Sequence, residues 1–164
     1  MMAVVFDASV LIDLFNPRLK GDRKAKLEYL VETLHKNRSK ILIPTPALTE
    51  FMIKADKARD DYLRGLYAKA AFKLEPFGER AAMECALLLA DALPARERRQ
   101  VSKVKFKFDW QIVAIASSCN AKAIYSEDDD IARYAERVKI PVYKADNLPL
   151  PPSVRQEQLP FESP

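Results

Sequence analysis

The stretch Met2-Ala3-Val4-Val5-Phe6-Asp7-Ala8-Ser9 decides the fold. Five apolar residues run without a break into a carboxylate, and the apolar pattern resumes at Val10, Leu11 and Ile12. A continuous Val-rich run suits a strand covered on both faces, as in a parallel sheet. An acid at the carboxyl end of such a strand stands where open α/β sheets hold their ligands.

Working outward, Ser9–Phe15 is predicted helical, with Val10, Leu11 and Leu14 on one face and Asn16-Pro17 as its stop. Asp22 is placed to cap a second helix whose stripe is Leu27, Leu30, Val31 and Leu34. Ile41-Leu42-Ile43 reads as a short strand ended by Pro44. Thr45 then reads as an N-cap with Pro46 at the first helical position, and Glu50 follows in the first turns. Further helices are expected over Asp60–Ala71 and Glu79–Leu93, with Phe72–Glu75 a weak strand between them. Asp109 is expected to open a helix with Ile112, Val113, Ala116 and Cys119 buried. Ala123–Ser126 is a strand that delivers the acids Glu127-Asp128-Asp129-Asp130 at its end. A short helix over Ile131–Val138 and an edge strand at Val142-Tyr143 complete the pattern.

Strand–helix alternation of this kind predicts a three-layer α/β/α domain with a mostly parallel sheet of four or five strands. The domain is expected over residues 1–147, followed by a tail (148–164) in which Pro149, Pro151, Pro152, Pro160 and Pro164 preclude regular structure. At 164 residues one core suffices. No apolar run approaches the ~20 residues of a membrane span. The N-terminus enters a strand directly, so a cytoplasmic protein without signal or transit sequence is expected. Cys85 and Cys119 read as buried thiols, too few and too isolated for a zinc site.

The single histidine, His35, excludes a two-histidine nuclease, and no nucleophile elbow exists for it to serve. Three glycines leave no phosphate-cradling loop. The chemistry must therefore run on carboxylates. The net charge of +4 has a local source: between Pro94 and Phe108, Arg96, Arg98, Arg99, Lys103, Lys105 and Lys107 stand against Glu97 alone, six minus one, or +5. Clustered basic charge is the footprint of a polyanionic partner, or else a solvated loop.

Asp7, Glu50, Asp109 and the cluster at Asp128 and Asp130 all fall after strands or at helix starts, which share one edge of a parallel sheet. Crowded carboxylates repel and resist joint ionisation. A hard divalent cation removes that penalty, and oxygen-only donors favour Mg²⁺ or Mn²⁺ over zinc. Taken singly, each acid has a plainer reading. Asp7 could be a surface residue, Asp109 an N-cap, Glu50 a helix-dipole partner, and Glu127–Asp130 a solvated helix start.

Together the motifs resemble the PIN-domain family, the fold of the VapC-type toxin ribonucleases. Val5-Phe6-Asp7-Ala8-Ser9 is similar to that family's opening, and Pro44-Thr45-Pro46-Ala47-Leu48-Thr49-Glu50 to its second motif. Phe108-Asp109-Trp110-Gln111-Ile112-Val113-Ala114-Ile115-Ala116 resembles its Asp-x-x-Ile-x-Ala-x-Ala helix, and Tyr125-Ser126-Glu127-Asp128 its final Thr/Ser-x-Asp. The likeness runs from about Met2 to Leu150 with the motifs in family order. It implies an Mg²⁺- or Mn²⁺-dependent endoribonuclease with Asp7, Glu50, Asp109 and Asp128 as ligands. Asp130 rivals Asp128, and Ser9 and Ser126 are supporting residues.

The implied partners are an RNA substrate, met by Arg96, Arg98, Arg99, Lys103, Lys105 and Lys107, and an antitoxin protein. A homodimer is a further candidate. An antitoxin would insert a cationic side chain among Asp7, Glu50 and Asp109, seated on apolar residues Leu11, Leu14, Leu48, Phe51 and Met52. An RNA-processing nuclease that is no toxin, and a catalytically silent RNA- or protein-binding module, remain the alternatives. Trp110 is expected to pack on a neighbouring helix rather than stack on a base, and Tyr62 and Tyr67 to lie in the core.

Overall fold

Val5 and Phe6 are wholly buried because their strand is the middle one of five. A computed structural model describes residues 2–92 and 103–157, with the side chains of 103–107 and 156–157 not described. The strands are β1 (Ala3–Phe6), β2 (Lys40–Pro44), β3 (Phe72–Glu75), β4 (Ile124–Tyr125) and β5 (Val142–Tyr143). They form one sheet in the order β3-β2-β1-β4-β5, with every pairing parallel. The weak strand at Phe72–Glu75 is real and forms one edge, with Ile41 opposite Phe72. In the centre Val5 lies opposite both Leu42 and Ile124.

Successive strands run outward from β1 to one side through β2 and β3, and the chain then returns to the other side through β4 and β5. The order therefore reverses between β1 and β4. A crevice opens at the carboxyl ends of two such strands, because their connections leave in opposite directions.

The helices are α1 (Ala8–Phe15), α2 (Asp22–Lys36), α3 (Thr45–Ala55), α4 (Arg59–Tyr67), α5 (Glu79–Ala92), α6 (Lys103–Ser118), α7 (Asp129–Ala135) and α8 (Pro152–Glu157). Gly21, at φ 76°, takes the cap position before α2, which leaves Asp22 in the first turn rather than as the cap. Pro44 likewise caps α3, so Thr45 and Pro46 are its first two residues. The Thr45 hydroxyl accepts the Phe77 amide at 3.3 Å and ties α3 to the segment after β3.

The largest departure from the sequence pattern is α6. It begins at Lys103, so Asp109 lies within the helix rather than opening it. Ile112, Val113, Ala114, Ile115 and Ala116 are all fully buried, which marks this stretch of α6 as covered all round. Its neighbours are α5, α7 and α3. Alternating Lys residues at 103, 105 and 107 mask this helix start in the sequence. The tail also holds structure. Pro152 is tolerated as the first residue of α8, where no amide is needed. Core packing runs on to Ala145 and Leu148. Tyr67 is exposed, against expectation, whereas Tyr62 stacks on Phe51 at 5.5 Å between centroids. Cys85 is buried and Cys119 half-buried, both as free thiols. Among the described residues no helix is long and apolar enough to cross a membrane.

Candidate metal centre

Asp7 ends β1 and Ser126 follows β4, so both stand at the reversal of strand order. The Asp7 amide bonds to the Tyr125 carbonyl at 3.1 Å, which extends the β1–β4 ladder as far as the acid itself. The Asp7 carboxylate is 3% exposed. Its Oδ2 accepts two hydroxyls, Ser126 Oγ at 2.9 Å and Ser9 Oγ at 3.1 Å. Its Oδ1 is buried with no hydrogen-bond partner among the described residues.

The two serines each face two ways. Ser126 Oγ accepts the Asp128 amide at 3.0 Å, and Ser9 Oγ accepts the Glu127 amide at 3.1 Å. The hydroxyls thus fasten the loop after β4 to the carboxylate after β1. Asp128 is the N-cap of α7, its Oδ1 accepting the Asp130 amide at 2.8 Å. This agrees with the plain reading of that acid, and the cap also fixes its carboxylate in place.

Asp109, Asp128 and Asp130 come together. Each offers a carboxylate oxygen, and the three lie within 4.8 Å of one another. Asp109 is 3% exposed and sits in a helix interior, where Asp has poor propensity and burial is costly. It is therefore neither an N-cap nor a solvated residue. Asp130 also pairs with Arg133, and Asp129 turns outward to Lys144 at 2.7 Å. Neither Asp7 nor Glu50 belongs to that group of three. Glu50 is half-buried in the second turn of α3, beyond the carboxyl end of β2.

Burial pushes the Asp7 carboxyl well above the usual carboxylate range. Ser126, the Ala8 amide and Ser9 pull it back, and the Asp128 charge raises it further. A buried carboxylate with one oxygen unsatisfied, beside three crowded acids, is an arrangement that a cation stabilises. The donors are all oxygen, which fits a hard divalent ion such as Mg²⁺ or Mn²⁺.

A model of the PIN domain matches residues 4–137. The chain belongs to the PIN-domain family. PIN domains are in general nucleases, and the three-layer parallel architecture is that of the family. The fold is similar to that of VapBC2 from Rickettsia felis bound to a fragment of promoter DNA, with TM-score 0.60 and 14% identity over 87% of this chain and 98% of that one. DNA-bound VapBC from Salmonella typhimurium gives 0.59 at 16% identity, covering 88% and 99%. VapBC-5 from Mycobacterium tuberculosis, a member of the VapBC family of toxin–antitoxin systems, gives 0.53 at 19%, again covering 88% and 99%. No curated protein matches the sequence.

The remaining expectations divide. Trp110 is 1% exposed and stacks on Tyr134 at 4.3 Å, so in this PIN domain it packs between α6 and α7 and offers no face to a base. Leu11 and Phe51 are wholly buried and unavailable to a partner, whereas Leu14, Leu48 and Met52 are half-buried. Arg96, Arg98 and Arg99 lie outside the described residues, and Lys103, Lys105 and Lys107 fall in the first turns of α6. Sequence reading missed Arg23, which reaches the loop after β4 from α2. Its only signal was a basic residue in a polar helix start.

Proposed function

We propose that the chain is a metal-dependent endoribonuclease that hydrolyses RNA phosphodiester bonds, acting in the cytoplasm as the toxin of a toxin–antitoxin pair. One observation carries the reading. Asp109, Asp128 and Asp130 converge beside the buried carboxylate of Asp7, at the point where the strand order reverses. Asp109, Asp128, Asp130 and Asp7 would hold Mg²⁺ or Mn²⁺, with Glu50 on the rim. When bound, such an ion activates water and offsets charge on a phosphodiester.

The chain's own residues prepare that site. Ser9 and Ser126 fix the Asp7 rotamer and leave Oδ1 for a ligand. Burial favours the protonated form of Asp7, and a cation held there would favour the ionised form. Asp128 is held by its cap bond, Asp109 stands inside α6 and Asp130 in the first turn of α7, so regular elements carry the acids. The basic residues from Arg96 to Lys107 would track the RNA backbone.

An antitoxin partner is supported by the VapBC neighbours. A groove of about 720 Å³ beside α1, α3 and α4, lined by Ile12, Phe15, Lys54 and Tyr62 among others, would offer such a partner a seat. The test is expression in a bacterial host. Wild type should arrest growth and leave discrete RNA fragments, Asp7→Asn should do neither, and the neighbour-encoded partner should restore growth. A harmless wild type that still cleaves RNA in vitro would make the protein an RNA-processing enzyme. A harmless wild type without cleavage would make it a silent binding module.

A further inference from the structure

Arg23, on the first turn of α2, gathers three segments distant in sequence. Its Nε and Nη2 bond to Asp13 Oδ2 on α1 at 2.8 and 2.6 Å. Nη2 also reaches Glu127 Oε1 at 3.2 Å, and Nη1 reaches Asp146 at 3.4 Å. The same Glu127 Oε1 accepts the Ala145 amide at 2.7 Å, while Lys26 donates to the Asp146 carbonyl at 2.7 Å. Arg23, Asp13 and Glu127 are each about three-quarters shielded from solvent, with side-chain exposures of 29%, 23% and 26%. Pairs so shielded are screened less than surface pairs.

Glu127 lies between Ser126 and Asp128, at a bend just before the cap of α7. Ser126 bonds to Asp7, and Asp128 belongs to the acid group. Glu127 anchors the same loop through its own side chain, to α2 and to the 3₁₀ turn Ala145–Asn147. The loop that leads to the candidate ligands is thus pinned by two separate sets of bonds, one through Ser9 and Ser126 and one through Glu127.

We propose that Arg23 and Glu127 are positioning residues that set the place of Asp128 and Asp130, and so the affinity of the site for a divalent cation. This rests on the metal-nuclease reading above. The sign of one substitution separates positioning from simple electrostatics. Arg23→Gln removes a positive charge near the acids, so Coulomb attraction alone would tighten cation binding. Loss of position would loosen it.

The experiment is calorimetric titration of MnCl₂ into the full chain, as wild type, Arg23→Gln, Glu127→Gln and the double variant. Hydrogen exchange is followed at the Glu127, Asp128 and Ala145 amides. Arg23→Gln should weaken Mn²⁺ binding about tenfold, as loss of groups behind metal ligands commonly does. The double variant should be little worse than either single one, since both break one pair. Exchange at the Glu127 and Asp128 amides should quicken. Glu127→Gln keeps an acceptor for Ala145, so it tests the same pair if Arg23→Gln folds poorly. Unchanged or tighter Mn²⁺ binding in Arg23→Gln, with only a lower melting temperature, would reduce the network to a structural clamp and overturn the proposal. Absence of Mn²⁺ binding in the wild type would instead overturn the metal reading, and this inference with it.

Discussion

The Ser126 hydroxyl donates to Asp7 Oδ2 at 2.9 Å across 119 residues of sequence, and accepts the Asp128 amide at 3.0 Å in return. One oxygen therefore links the acid after β1 to the acid after β4. The fold makes this contact cheap, because β1 and β4 are adjacent strands and Phe6 lies opposite Tyr125 in their register.

Ser126→Ala should consequently act on both acids. It strips a donor from a buried carboxylate and an acceptor from the Asp128 amide. A loss of about 1–3 kcal/mol is expected in denaturant unfolding. RNA cleavage should fall roughly tenfold as the ligands lose their support. Ser126→Thr keeps the hydroxyl and should retain most of both.

Asp7 gives a pH prediction with a definite sign. Burial raises its pKa in the folded state above the unfolded value. Between those two values the folded state binds more protons than the unfolded one, so stability falls as pH rises through the folded pKa. Without metal, Asp7→Asn should remove that loss. The stability of Asp7→Asn relative to wild type in EDTA should grow as pH rises through the folded pKa of Asp7, then level off above it. Thermal melts across pH measure it, and a constant difference would contradict the shift.

Trp110 separates packing from RNA contact. Stacked on Tyr134 and buried, it should cost about 3–5 kcal/mol when replaced by Ala. Trp110→Phe keeps a ring against Tyr134 and should bind RNA as wild type does. Loss of RNA affinity in a well-folded Trp110→Phe would mean that the ring meets a base.

The basic residues predict a salt slope. If Arg98 and Arg99 contact phosphates, replacing both by Ala should reduce the dependence of log K on log salt by about 0.7 per lost contact. Sequence preference should not change, because phosphate contacts carry none. Filter binding at several salt concentrations gives the slope.

The parallel sheet was legible because β1 is buried on both faces, which forces an uninterrupted apolar run. The same runs placed Asp7 directly after β1 and Asp128 in the loop after β4, at one edge of the sheet. The start of α6 was not, because Lys103, Lys105 and Lys107 imitate a charged loop while the apolar residues needed to see a helix lie beyond Asp109. The short α8 was hidden by prolines, one of which starts it.

The choice between Asp128 and Asp130 does not resolve into one residue, since both join Asp109. Asp128 caps α7 and Asp130 stands in its first turn, which brings both to Asp109. Glu50, in the second turn of α3, stands on the same edge of the sheet but outside the group of three. The network of Arg23, Asp13, Glu127 and Asp146 had no signal in sequence, because it joins charges up to 123 residues apart that look like ordinary surface residues.

Cleavage of an end-labelled RNA by the purified chain tests the central claim most directly, with MnCl₂, with EDTA, and with MnCl₂ after Asp109→Asn. Wild type should cut internally with manganese, and EDTA should stop it. Asp109→Asn should fall by roughly a hundredfold or more, as expected when a charge that stabilises the reacting centre is lost. Cleavage that persists in EDTA, or at the wild-type rate in Asp109→Asn, would show that the acids gathered by α6 and α7 are not the reactive centre.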